Sequence, residues 1–96
     1  MNLSIKAVGF TLHDEGKEYL NKKIERIRNA ENMIVDLIFT VKKEKNYKAD
    51  ASVNFRWGVS VHVAEKDFEF TKAVDKLIDK LESKITKEKE KVKEKR

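Results

Sequence analysis

Asp67-Phe-Glu-Phe-Thr-Lys-Ala-Val-Asp-Lys-Leu-Ile-Asp-Lys-Leu-Glu-Ser-Lys-Ile-Thr-Lys87, followed by a Lys/Glu tail to Arg96, is the stretch on which the reading of this chain turns. Phe70, Val74, Leu77, Ile78, Leu81 and Ile85 recur at helical spacing, so they form one apolar stripe. Lys76, Lys80, Lys84, Lys87 and Lys91 are spaced by four, four, three and four, which stacks them in a row along one flank. Asp75, Asp79 and Glu82 fall on the other flank. Such a helix needs a core to cover its stripe. Along one edge it shows either a solvated face or a line of ammonium groups suited to an anionic partner.

The core is supplied by what precedes it. Residues 33–43 alternate, with Met33, Val35, Leu37, Phe39 and Val41 on one face and Asp36, Thr40 and Lys42 on the other with Ile34 and Ile38. Glu44-Lys-Asn46 is a short polar hairpin connection. Residues 47–57 alternate again: Tyr47, Ala49, Ala51, Val53, Phe55 and Trp57 face the core, and Lys48, Asp50, Ser52, Asn54 and Arg56 face away. Gly58 lets the chain reverse into a third strand with Val59, Val61 and Val63 inward. Asp67 is the expected N-cap of the last helix.

Further out, Leu3, Ile5 and Ala7 alternate with Ser4 and Lys6, as on a half-buried strand, and Gly9 breaks it. Thr11 and Asp14 resemble a capping box, and a helix is expected from there to about Asn29. Its core side carries Leu20, Ile24 and Ile27, with Gly16 allowing close approach; Tyr19, Lys22 and Arg26 project from the far side, with Lys23 at the margin. The spacing therefore predicts an α+β fold of order β-α-β-β-β-α. The sheet is four-stranded and mixed, ordered 1-2-3-4, with the first two strands parallel across a right-handed crossover. Every strand has one apolar face, so both helices should cover the same side. The other face, with Ser4, Lys6, Thr40, Asp50, Ser52, Asn54 and His62, stays open.

Ninety-six residues make one domain, 1–96, in which 88–96 reads as a frayed, Lys/Glu-rich tail. Charged residues are 41% of the chain and the net charge is +5. Residues 76–96 hold nine Lys/Arg against five Asp/Glu, so the basicity belongs mostly to the final helix and suggests nucleic acid or another polyanion as partner. Without cysteine there is no disulfide framework and no thiolate chemistry. No run reaches membrane-span length and no signal-peptide hydrophobic region opens the chain, so a soluble, cytoplasmic protein is expected.

The residues for catalysis do not assemble in the sequence. His13 reads as a helix-start residue and His62 as a solvent-facing strand residue, in different elements and with no ligand spacing around them. Gly9, Gly16 and Gly58 are too far apart for a phosphate-binding loop. Asp36 and Asp50 could face each other across strands as a solvated pair. Neither an enzyme nor a metal, cofactor or small-molecule substrate is expected. Phe39, Tyr47, Phe55 and Trp57 could form a base-stacking platform, but they share parity with the valines, so core packing is the better reading for most of them; Trp57, at a turn, is left open between the two. The functional signal is basic: Lys22, Lys23 and Arg26 on helix 1, Lys42, Lys43, Lys45 and Lys48 around one hairpin, and the row Lys76, Lys80, Lys84, Lys87 and Lys91 on helix 2. Phosphate contacts need only positive charge at suitable spacing.

Element order and length resemble those of the ribosome hibernation-promoting factor and ribosome-associated inhibitor family. The similarity is carried by Asn2-Leu-Ser-Ile-Lys-Ala7, Leu12 with Tyr19-Leu-Asn-Lys-Lys-Ile-Glu-Arg-Ile27, Lys48-Ala-Asp-Ala-Ser-Val53, and Ala73-Val-Asp-Lys-Leu-Ile-Asp-Lys-Leu-Glu-Ser-Lys-Ile85. The resemblance implies docking on ribosomal RNA of the small subunit, in the channel for messenger and transfer RNA, which keeps idle ribosomes inactive. It implies contacts through Lys22, Lys23 and Arg26 of helix 1 and Lys80, Lys84 and Lys87 of helix 2. Phe68-Glu-Phe-Thr71 and Phe55-Arg-Trp57 depart from the family's usual pattern. By the same resemblance the chain looks like a short form without the dimerising domain of long members, and a monomer off the ribosome is expected. Two other readings compete: a small α/β module binding an acidic protein, and a double-stranded RNA-binding domain. The leading strand argues against the second, since that fold starts at a helix.

Overall fold

Periodicity of two, then 3.6, then two again becomes the element order β1 (Asn2–Val8), α1 (Asp14–Ile24), β2 (Ile34–Lys43), β3 (Tyr47–Phe55), β4 (Ser60–Asp67) and α2 (Phe70–Glu94). This computed structural model describes residues 1–94, with side chains through Val92; the last two residues of the tail lie outside the described residues. The sheet runs β1-β2-β3-β4, with β1 parallel to β2 and the other pairs antiparallel, as the sequence predicts. Leu37, Phe39 and Val41 of β2, Ala49, Ala51 and Val53 of β3 and Val63 of β4 are buried in one cluster with Leu20 and Ile24 of α1 and Val74, Leu77, Ile78 and Leu81 of α2. Both helices therefore cover one face of an α+β sheet.

Three local features differ from the sequence reading, each for a physical reason. First, α1 ends at Ile24 rather than near Asn29, and a 3-10 segment, Arg28–Met33, leads into β2. The amides of Ile27 and Ala30 bond back three residues, to Ile24 and Ile27. A step of three suits both helix types, so Leu20, Ile24 and Ile27 are all buried even though the coil tightens. Second, the register of β2 against β3 shifts between Ile34 and Asp36. This bulge turns Ile34 into the core and leaves Val35 exposed, the reverse of strict alternation. Third, α2 does not fray at Glu88; it continues to Glu94, and Glu88 itself is buried. Asp36 and Asp50 do not meet: Asp36 is opposite Asn54, and Asp50 lies between Thr40 and Ala64.

Two glycines lie at close contacts, the first against backbone and the second against the end of the Leu12 side chain. At Gly9, φ is +81° and a Cβ would lie 2.5 Å from the carbonyl oxygen of Lys43, so only glycine fits where the chain leaves β1. At Gly16 a Cβ would meet Leu12 at 2.7 Å and Phe70 at 3.6 Å, so α1 can lie close to the start of α2. Above that contact Phe10, Tyr47 and Phe70 pack edge to face or tilted, with centroids 5.4 to 6.3 Å apart, and close this end of the core. The β3–β4 end is closed by Phe55, on which the Trp57 ring stacks at 5.2 Å and 15°.

Candidate nucleic-acid interface

The lysine row of α2 begins beside β4 and is tied to it there. Lys76 Nζ lies 2.9 Å from Asp67, and Lys80 Nζ lies 3.3 Å from Glu65. Asp67 also accepts the Glu69 backbone N–H at 3.0 Å, so it anchors the entry to α2 just ahead of the first turn. That amide first, and Lys76 second, hold the Asp67 carboxyl below its ordinary pKa. Beyond Lys80 the row is open. Lys84, Lys87 and Lys91 are exposed and make no ion pair among the described residues.

The second half of α2 is held in place from the sheet. Trp57 Nε1 donates to Glu88 Oε1 at 2.9 Å, while the indole rests on Phe55. Parity alone would put Trp57 inward, and its place at a turn leaves that open; the residue is 40% exposed and lines a groove with Val59, Lys91 and Val92. Glu88 falls on the core side because it continues the phase of Leu81 and Ile85 at steps of four and three. That phase is the signal in the sequence that marks it.

Lys23 of α1 and Arg26, just past its end, turn toward α2, not outward. Lys23 Nζ lies 3.2 Å from Asp75, and Arg26 pairs with Asp79 at 2.9 Å and with Glu82. Tyr19, expected on the far side, is half-buried and donates its hydroxyl to Asp75 at 2.5 Å. That bond, then burial, then the Asp75 charge push the Tyr19 pKa up to about 12. Hydrogen bonding to Asp79 likewise raises the Arg26 pKa. The acidic flank of α2 is thus an interhelical seam, and it separates Lys23 and Arg26 from the open lysine row. Lys22 is exposed in a shallow hollow with Glu18 and Glu25.

The remaining basic candidates gather at the β2–β3 hairpin. Lys42 Nζ lies 3.0 Å from Glu44, and Lys45 is exposed at the tip. With Lys48 and Lys66 they line a hollow of about 440 Å³. Lys66 is the basic residue that reading along the chain does not single out, because its neighbours there come from another strand. On the open face Ser52 Oγ and His62 Nδ1 are 2.8 Å apart, and Ser60 donates to Asn54 at 2.7 Å, so these polar groups bond to one another across strands. Among the described residues no helix is long and apolar enough to cross a membrane.

Comparison with known proteins places this arrangement. The profile of the family described as sigma 54 modulation protein / S30EA ribosomal protein matches residues 3–93. A ribosomal subunit interface protein from Coxiella burnetii is similar in structure, with a TM-score of 0.83 at 23% identity over 93% of this chain and 98% of that one. The N-terminal domain of Thermus thermophilus Protein Y has a TM-score of 0.79 at 22% identity, covering 91% of this chain and 98% of that one. These two likenesses show a shared fold. A search of the curated proteins finds no match.

Proposed function

The chain belongs to the sigma 54 modulation protein / S30EA ribosomal protein family, and from that membership we propose a ribosome-associated hibernation factor that binds ribosomal RNA of the small subunit and keeps idle ribosomes inactive. The binding site is the channel otherwise used by messenger and transfer RNA, and the chain acts in the cytoplasm as a monomer when off the ribosome, without catalysis. The observation that carries this reading is the open half of the lysine row. Lys84, Lys87 and Lys91 present three exposed ammonium groups that make no ion pair among the described residues, on a helix that the Trp57–Glu88 bond fixes in place. Lys76 and Lys80 extend the line, and a phosphate reaching them exchanges with Asp67 and Glu65. Lys22, Lys23, Arg26, Lys42 and Lys45 complete the proposed RNA-contacting set.

Ammonium groups neutralise phosphates and release counterions, so the surface binds backbone without reading bases. A folded RNA surface, which fixes many phosphates, suits such a row. Occupation of the channel excludes the messenger by volume alone and needs no chemical step. The test is a purified translation system with the triple reversal Lys84→Glu, Lys87→Glu and Lys91→Glu. These positions are exposed, so folding is retained. The parent should inhibit translation and the variant should not, while Lys17→Glu, on the exposed side of α1, should inhibit like the parent. Equal inhibition by parent and triple variant would contradict the reading.

A further inference from the structure

On the sheet face away from the helices, strand register places Lys42, Lys48 and Lys66 side by side on three neighbouring strands: Lys42 is opposite Lys48, and Lys48 is opposite Lys66. Their chain neighbours Val41 and Ala49 are buried on the helix side, so alternation puts these three lysines on the open face. Like charges directly opposite each other in a sheet are destabilising, and here two such pairs run in line. Lys45 adds a fourth ammonium group at the hairpin, and Glu44 is the carboxylate in the hollow they line. Glu44 engages Lys42, at 3.0 Å. The field of the group is visible on Glu44, whose carboxyl is held below its ordinary pKa by Lys42 first and also by Lys66 and Lys48. Two residues beyond Lys66, Phe68 is 78% exposed, the most exposed large hydrophobic side chain among the described residues.

Lys42 and Lys45 already stand in the RNA-contacting set; we propose that this end of the open face is a binding site of its own, completed by Lys48 and Lys66, which with Lys42 hold backbone phosphate, and by Phe68, which stacks on an unpaired base. The cost of three aligned ammonium groups is offset when an anion lies across them. Phe68 does not line the hollow itself but follows Lys66 by two residues, and an exposed aromatic that close along the chain to a cationic hollow is the pairing that single-stranded nucleic acid uses, phosphate on the cations and base on the ring. An acidic protein segment would engage the lysines but leaves Phe68 without a role. The site lies on the opposite side of the sheet from the α2 row. It rests on the reading that the partner is RNA, and it adds that RNA contacts both faces of the protein.

The two surfaces can be read separately in one experiment. Isotope-labelled full-length protein is titrated with a uridine hexanucleotide, and backbone amide shifts are followed by NMR at residues 42, 45, 48, 66 and 68 and, independently, at 84, 87 and 91. The proposal predicts saturable shifts in the first group. In Lys48→Gln/Lys66→Gln the apparent affinity read there falls about tenfold, with the second group unchanged; in Phe68→Ala it also weakens. Shifts confined to 84, 87 and 91 would overturn this site and remove Lys42 and Lys45 from the RNA-contacting set, while leaving the α2 reading intact. Shifts at the first group that persist unchanged in the double variant would overturn it as well. Shifts at the first group without any at α2 would support this site and count against the α2 row.

Discussion

Single side chains decide how the basic surface is divided. Asp67 takes both the Glu69 amide and Lys76, and so fixes the start of α2 and the first lysine of the row. Its folded-state pKa lies below the unfolded value, so its stabilisation is complete above the ordinary carboxylate range near ~4 and is lost as pH falls through the lower folded value. Asp67→Asn should therefore flatten the acid limb of stability against pH below about pH 4, in urea melts at matched salt. Glu88 does the corresponding work at the other end. The chain has one tryptophan, so its fluorescence reports the Trp57–Glu88 contact without ambiguity. Glu88→Ala removes the acceptor of a partly buried indole N–H and should cost about 1 kcal/mol, with a red-shifted emission; Glu88→Gln keeps an acceptor and should lie nearer the parent.

Among the elements, the strands and the two helices are legible because each has a clean period. Alternation in β2, β3 and β4 and the 3.6-residue stripe of α2 suffice for order, for parity and for both helices on one face. Leu77 shows this most directly: it lies in the middle of the stripe and is fully buried. Leu77→Ala should destabilise by roughly 2–5 kcal/mol, as measured by thermal or denaturant unfolding. A variant as stable as the parent would contradict the packing of α2. The misreadings share one cause. A bulge adds a residue to β2 and swaps Ile34 for Val35, and a step of three residues serves α and 3-10 coils alike, so α1 is shorter than its apolar spacing suggests. Neither event leaves a mark in hydrophobicity, since Ile, Val and Leu read the same.

Across the whole molecule, charge is legible in amount but not in pairing. The row on α2 can be counted along the chain. That Lys23 and Arg26 meet Asp75, Asp79 and Glu82 cannot, because those partners lie more than fifty residues away and come together only when the helices pack. Reversing Asp75 and Asp79 to Lys would set like charges against Lys23 and Arg26 across the seam. Exposed pairs of this kind contribute only about 0–1 kcal/mol each, but they set which cations remain free. The same packing leaves α2, about 37 Å long for 25 residues, along a molecule whose greatest extent is 45 Å. The lysine row from Lys76 to Lys91 takes up about 22 Å of that helix, and its open part, Lys84 to Lys91, about 10 Å.

Association with isolated small ribosomal subunits, followed by co-sedimentation over a range of salt, measures the central claim most directly. The account predicts saturation at one copy per subunit, an affinity that falls steeply and log-linearly with salt, and loss of binding in Lys84→Glu/Lys87→Glu/Lys91→Glu. Binding that does not saturate, or a triple variant that binds like the parent at matched ionic strength, would contradict it.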